Sequence, residues 1–352
     1  MRLVRALLAA GLVLAACSPT ADGDPPASSA SVASPSGSVA PSLAEGQFVN
    51  PVLDRDFPDP GVLVVDGTYY AYATEGGGRH IQVASSPDLV TWEYLGEALP
   101  SLPTWSTGMT WAPEVIETDA GFVMYYTARD PATQRPDGSG TQCITVAVAD
   151  APEGPFVDDS DAPLVCQADM GGTIDATPFR DTDGTLYLVY KNDGNCCGRI
   201  TRFWGQPLSE DGLSLEGEPV DLGLENDNAW EAHVIEAPWI VLRDGTYYLF
   251  YSANDYANDR YAVGYATASL VLGPYVDAEE NPILATPADD GPDVAYGPGH
   301  QSVVTGPDGE PWIIYHAWDQ LFQQRAMWID EVRFEDGRPV IDGPDGTAQE
   351  AP

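Results

Sequence analysis

Five polar residues recur at about the same place in a repeated unit: Asp59, Glu114, Asp175, Glu236 and His300. Each stands seven to nine residues before a turn glycine, at Gly67, Gly121, Gly184, Gly245 and Gly309, with an apolar run between. Four carboxyl groups and an imidazole gathered round one opening are costly to desolvate unless they are used or hold a cation. Hydrolysis of a glycosidic bond uses such a set. One carboxyl stays protonated to donate to the leaving oxygen, while a second is ionised to activate water or attack carbon. A third beside the donor raises its pKa by like-charge repulsion. Trp111 and Trp230 lie near these residues in sequence and could stack on sugar faces; Trp239 reads more simply as core.

The elements that would position them repeat as well. Turns followed by aromatic strands begin at Asp66-Gly67, Ala120-Gly121, Asp183-Gly184, Asp244-Gly245 and Asp308-Gly309, at intervals of 54 to 64 residues. Asp-Gly between apolar runs is a hairpin signal. A further strand-like run follows each, from Ile81, Ile144, Ile200, Tyr261 and Ala326. Few segments have helical periodicity, and 31 prolines and 35 glycines punctuate the chain. Five units of about four short strands predict an all-β fold, a five-bladed β-propeller; a β-sandwich has no reason to repeat five times at this interval. The first strand of a propeller blade is innermost, so the five polar residues should converge at one end of the axis.

The motifs at these positions resemble glycoside hydrolase family 43 and its arabinanase relatives. Phe57-Pro58-Asp59-Pro60 is similar to the family's Asp-Pro motif, which bears the general base. Gly172-Thr173-Ile174-Asp175 is similar to its Ile-Asp motif, whose aspartate tunes the acid and orients substrate. Ile235-Glu236-Ala237-Pro238 is similar to the Glu-Gly-Pro motif of the general acid, with Ala237 where glycine is usual. Trp111-Ala112-Pro113-Glu114 and Gly297-Pro298-Gly299-His300 fit the same pattern. The resemblance implies a propeller over about residues 48–344 and an inverting glycosidase with Asp59, Asp175 and Glu236 as catalytic residues. By the same resemblance it would act on arabinose- or xylose-containing saccharides, arabinofuranosyl linkages first and β-xylosyl second. Trp111, Glu114, Trp230 and His300 would bind substrate, Glu114 as an orienting group. No cofactor is needed for the chemistry. An axial Ca2+ or similar ion, held through water near His300, is the one metal the resemblance raises. His316, inside an aromatic strand, reads as structural.

Composition bounds the partners. A net charge of −39, with Lys191 the single lysine, repels nucleic acid and anionic membranes and disfavours a strongly anionic polymer, so the oligo- or polysaccharide partner that the resemblance implies should be neutral. Residues 1–17 carry Arg2, Arg5 and a short apolar run, then Leu14-Ala15-Ala16-Cys17, which resembles a bacterial lipobox. The expected organisation is a lipoprotein signal peptide over 1–17 with Cys17 lipidated, a flexible Ser/Pro/Ala-rich linker over 18–46, the catalytic propeller over 47–344 and a short tail over 345–352. The protein would be an exported monomer touching the membrane only through its N-terminal lipid, or else secreted. Cys143, Cys166, Cys196 and Cys197 should form one or two disulfides. Separate partners for the adjacent Cys196 and Cys197 are the favoured pairing, with a vicinal bridge as the alternative. Residues 129–142 and 193–199 read as insertions that could wall the site. The rival from another class is a non-catalytic sugar-binding propeller on the cell surface.

Overall fold

The computed structural model describes residues 43–135, 137–288 and 294–352. The expected signal segment, Cys17 and all of the linker up to residue 42 lie outside them.

The chain forms five antiparallel sheets whose first strands stand next to one another in a closed ring, a five-bladed β-propeller. Blade one comprises Gly61–Val65, Thr68–Ala73, Gln82–Ser86 and Glu93–Glu97. Blade two comprises Trp111–Thr118, Gly121–Gln134 and Gly140–Ala149, and blade three Thr173–Arg180, Leu186–Asn192, Arg202–Pro207 and Val220–Glu225. Blade four is built on Ile235–Arg243, Thr246–Ala253 and Ala262–Ala268, edged by the short strands Val276–Asp277 and Leu284–Ala285. Blade five comprises Tyr296–Thr305, Pro311–Trp318 and Arg325–Glu331. The Asp66-Gly67 and Asp244-Gly245 turns have positive φ at both residues, which matches the twist of the strands they join.

Apolar burial explains the aromatic second strands. The core is divided into five clusters, each between two neighbouring blades. Along Thr246–Ala253, Tyr248 and Phe250 pack toward blade five while Leu249 and Tyr251 pack toward blade three. Both faces are covered, so the strand reads as a continuous apolar run instead of an alternating one. The ring closes through the N-terminal segment. Leu53 bridges Met327 on blade five, the Asn50 side chain bonds both backbone groups of Ile329, and Gln47–Phe48 pairs with Gln349–Glu350.

The disulfides correct the favoured pairing. Ile144 bridges Val165 antiparallel, which sets Cys143 beside Cys166, and these two are bonded. Cys196 and Cys197 are left with each other and form the vicinal bridge.

Candidate active site

Each blade enters the axis through one residue in the left-handed backbone region: Asp59 (φ 58), Ala112 (47), Asp175 (55), Ala237 (53) and His300 (52). Non-glycine residues rarely adopt this conformation. Here, in four of the five inner strands, it coincides with a shift in strand register, a bulge that re-aims side chains. Four of the exposed N–H groups are caught by a side chain of the preceding blade. Thr74 Oγ1 accepts from Ala112 N at 2.9 Å, Asp175 Oδ2 from Ala237 N at 3.1 Å, Ser252 Oγ from His300 N at 2.7 Å and His316 Nδ1 from Asp59 N at 3.1 Å.

A cavity of about 380 Å³ opens over these bends and is lined by Asp59, Trp111, Asp175, Glu236 and His300, together with Thr74, Arg135, Asp193, Asn195, Cys196, Tyr256 and Arg325. The two insertions named from sequence thus supply Arg135 on one side and Asp193, Asn195 and Cys196 on the other.

Asp59 is held as an anion. Its Oδ2 accepts from Thr74 Oγ1 at 2.5 Å and its Oδ1 from Arg325 Nη1 at 3.0 Å, with His300 Nδ1 at 3.4 Å. Burial opposes ionisation, but the Arg325 guanidinium and the His300 imidazole keep its pKa well below the usual carboxylate range. His316, wholly buried and stacked on Tyr261 at 5.7 Å, is pushed down to about 4 by burial and by Arg325, so it is neutral. Its Nδ1 already accepts the Asp59 N–H, so the 3.2 Å approach of Asp59 Oδ1 to that nitrogen is not a second hydrogen bond.

Glu236 and Asp175 form the other half. Glu236 Oε2 accepts from Lys191 Nζ at 3.0 Å and Oε1 from the Tyr261 hydroxyl at 2.8 Å. Lys191 is fully buried, and its Nζ also bonds Asn195 Oδ1 at 3.0 Å. Burial alone would raise the pKa of Glu236, but the lysine ammonium overcomes it and lowers it; Lys191 itself stays charged because Glu236, Asp175 and Asp193 outweigh its burial. Asp175, without such a cation in contact, is pushed up to about 6 by burial and by the Glu236 charge, against the opposing pull of His300. Like-charge repulsion between the two acids is present as the sequence suggested, yet it keeps the proton on Asp175 and not on Glu236. The proton belongs to the pair, since strongly interacting sites titrate together.

The structure separates the remaining expected residues. Trp111 lines the cavity. Trp230 does not; it packs on Tyr251 at 5.5 Å and its ring lies over Gly264, where a Cβ would fall 2.7 Å from it. Glu114 lies two residues beyond its blade's left-handed Ala112 and so points down the axis, among Ala112, Asp175, Thr177, Ala237, His300 and Gln301. A Cβ at Gly61 would meet Pro113 O at 2.1 Å and the Glu114 carboxyl at 2.8 Å, so only glycine lets these inner strands approach. Burial, then the Asp175 charge, raises Glu114 well above the usual range. No group of three or more His, Cys, Asp or Glu able to hold a metal occurs among the described residues, so direct ligation of an axial ion does not fit them.

Sequence reading missed Lys191, Arg325, Thr74, Tyr261 and the contact made by His316. Lys191 carried a signal: it is the one lysine of a strongly acidic chain, set inside an apolar strand.

With this geometry in view, the comparisons are decisive. The model of the glycosyl hydrolases family 43 matches residues 48–339. The chain belongs to that family. A β-D-galactofuranosidase (xynD) of Aspergillus niger is 28% identical over 313 residues, spanning 83% of this chain and 84% of the relative. An extracellular endo-α-(1→5)-L-arabinanase of Bacillus subtilis is 29% identical over 64% of this chain, which spans about half of that relative's length (51%). Among solved structures, a thermostable family-43 glycoside hydrolase is 37% identical with a TM-score of 0.77, covering 87% of this chain and 99% of its own. An endo-1,4-β-xylanase of Bacteroides thetaiotaomicron is 30% identical with a TM-score of 0.70, covering 85% and 98%. The five-bladed propeller and the glycoside hydrolase class follow.

Proposed function

We propose that this family 43 enzyme hydrolyses arabinofuranosyl linkages first and β-xylosyl linkages second, with inversion at the anomeric carbon. The observation that carries the reading is the division of labour in one cavity: Asp59 is held ionised by Arg325, while the Asp175–Glu236 pair retains a proton. Among the described residues the two halves share no hydrogen-bond partner. Asp59 is held from blades one and five, Glu236 from blades three and four. Separate anchoring on different walls suits two carboxyls that flank a bond with a water between them.

Asp59 takes a proton from water as the water oxygen bonds to the anomeric carbon. The bond from that carbon to the leaving oxygen breaks, and Glu236 delivers a proton to that oxygen. Asp175, bonded to Ala237 N beside Glu236, holds the pair's proton in the free enzyme. Passing it to Glu236 before the bond breaks leaves Asp175 as the pair's single anion, and exclusion of water by the substrate raises the cost of a second charge and so keeps that proton on the pair. Trp111 offers an aromatic face to the sugar.

The endo-α-(1→5)-L-arabinanase of Bacillus subtilis and the exo-α-(1→5)-L-arabinofuranosidase of Cellvibrio japonicus, 26% identical, support arabinofuranosides as the first choice, and the β-xylosidase of Bacillus subtilis, 26% identical, supports β-xylosides as the second. Relatives described as extracellular support export, and lipidation at Cys17 of a monomeric enzyme completes the proposal. Intact mass of the membrane fraction would reveal the diacylglyceryl adduct.

Incubation with linear arabinan, arabinoxylan and 4-nitrophenyl pentosides, with proton NMR of the first products, tests the reading. The expected outcome is release of arabinose-containing products of inverted configuration. Retained configuration, or turnover of none of these substrates, rejects it.

A further inference from the structure

The Cys196–Cys197 bridge has no obvious reason to be there as a staple. Disulfides stabilise chiefly by closing loops in the unfolded chain, and the effect grows with loop length. The Cys143–Cys166 bridge spans 23 residues, whereas the vicinal one spans a single peptide. Its effect must be local.

Its locality is the catalytic cavity. Cys196 lines it beside Asp193 and Asn195. The segment carrying them is seated independently of the bridge. Asp193 N donates to Gly172 O at 3.0 Å, Arg199 N to Gly194 O at 2.9 Å, and Asn192 Nδ2 to Ile200 O at 3.0 Å at its base. Gly171 forms the cradle: a Cβ there would fall 2.2 Å from Asp193 O and 3.1 Å from Cys196 Sγ. What the bridge adds to this seated loop is a rigid, uncharged, polarizable surface in a wall otherwise made of Asp193, Asn195 and Arg135. Sulfur packs favourably on apolar faces. A sugar ring presents one such face of C–H groups.

The loop also stands on the proton donor's side, because Asn195 accepts from the lysine that bonds Glu236. We propose that the Cys196–Cys197 disulfide is a specificity-determining contact, the surface on which the sugar on the leaving-group side of the bond rests. This rests on the reading of Glu236 as proton donor to a pentoside.

The test uses Glu236→Gln to hold substrate without turnover, with and without Cys196→Ser/Cys197→Ser; the Cys143–Cys166 bridge stays intact in both. Calorimetry with an arabino- or xylo-oligosaccharide should show about fivefold weaker binding in the serine variant, while binding of the free pentose changes less than twofold. In the otherwise wild-type enzyme the same substitutions should raise KM for the oligosaccharide about as much and leave kcat within about twofold. Unchanged oligosaccharide affinity overturns the proposal. So does equal weakening of both ligands with a fall in Tm, which would make the bridge a structural staple only. Wild-type enzyme that turns over no pentoside would instead reject the functional reading, and is scored separately from the binding comparison.

Discussion

At the residue scale the decisive side chain is Lys191. A buried ammonium survives only with compensating anions, and it has Glu236 in contact with Asp175 and Asp193 nearby. Its presence sets where the cavity's proton lies. The pair can supply a proton only while one remains, so kcat/KM should fall on the alkaline side as pH rises past about 6, the value to which Asp175 is pushed. The acid side, set by Asp59, should fall only below the ordinary carboxylate range. Removing the cation in Lys191→Met lets burial and the neighbouring carboxyl raise the pair, which should move the alkaline limb upward by about one unit. A pH–rate profile with an unmoved or lowered alkaline limb would contradict this assignment. Glu236→Gln offers a second check: hydrolysis of linear arabinan should drop by at least about 10²-fold, and that of an activated 4-nitrophenyl pentoside far less. Equal losses on both would remove Glu236 from the donor role.

At the scale of elements, what the sequence showed and what it hid have a common cause. Counting back from the turn glycines placed Asp59, Asp175 and His300 at equivalent positions, and these are the left-handed residues of their blades. The same count set Glu114 and Glu236 level with them, whereas the bulges put Glu114 two residues beyond Ala112 and Glu236 one residue before Ala237. A one-residue offset turns a side chain to the other face of its strand, and a two-residue offset carries it about 7 Å further along the same face. Glu114 therefore enters the axial channel and Glu236 the cavity. Hairpins and blade cores were legible because Asp-Gly turns and aromatic runs are local signals. Arg325 and Tyr261 were not, because what makes them functional is contact across blades, and nothing in their own neighbourhoods encodes it; a lone lysine in an apolar strand marked Lys191 without naming Glu236 as its partner. Ala237 gives an element-scale prediction. Its φ of 53° is strained for alanine, so Ala237→Gly should raise stability by about 0.5–1 kcal/mol in denaturant melts and leave kcat/KM within about twofold. A destabilised glycine variant would mean that the hydrogen bonds from Ala237 N to Asp175 and from Gln301 to Ala237 O relieve the strain.

For the whole molecule, charge and burial act together on stability. The net charge of −39 repels itself throughout the neutral range. Within the fold, burial pushes Asp330 up to about 7 despite the 2.6 Å hydrogen bond from Tyr315, and pushes Asp193 up to about 6. A carboxyl with a raised folded pKa keeps its proton where the unfolded chain has lost it, so its ionisation removes stability as pH climbs from the unfolded value through the folded one. For Asp330 a shift of that size amounts to about 4 kcal/mol between those limits. His316 acts in the opposite sense. Its folded value near 4 means that the unfolded chain binds a proton first, and stability is lost as pH falls from about 6.5 toward 4. Between pH 8 and 5.5 the carboxyls recover more than His316 gives up. The melting temperature should therefore be about 4 °C higher at pH 5.5 than at pH 8. Added sodium chloride should narrow that gap by screening the surface charge at pH 8, while leaving the buried contribution in place. Asp330→Asn isolates that contribution, since it should flatten the pH dependence at high salt without altering kcat/KM. Calorimetric melts in which stability instead rises from pH 5.5 to 8 would show that His316 outweighs the buried carboxyls.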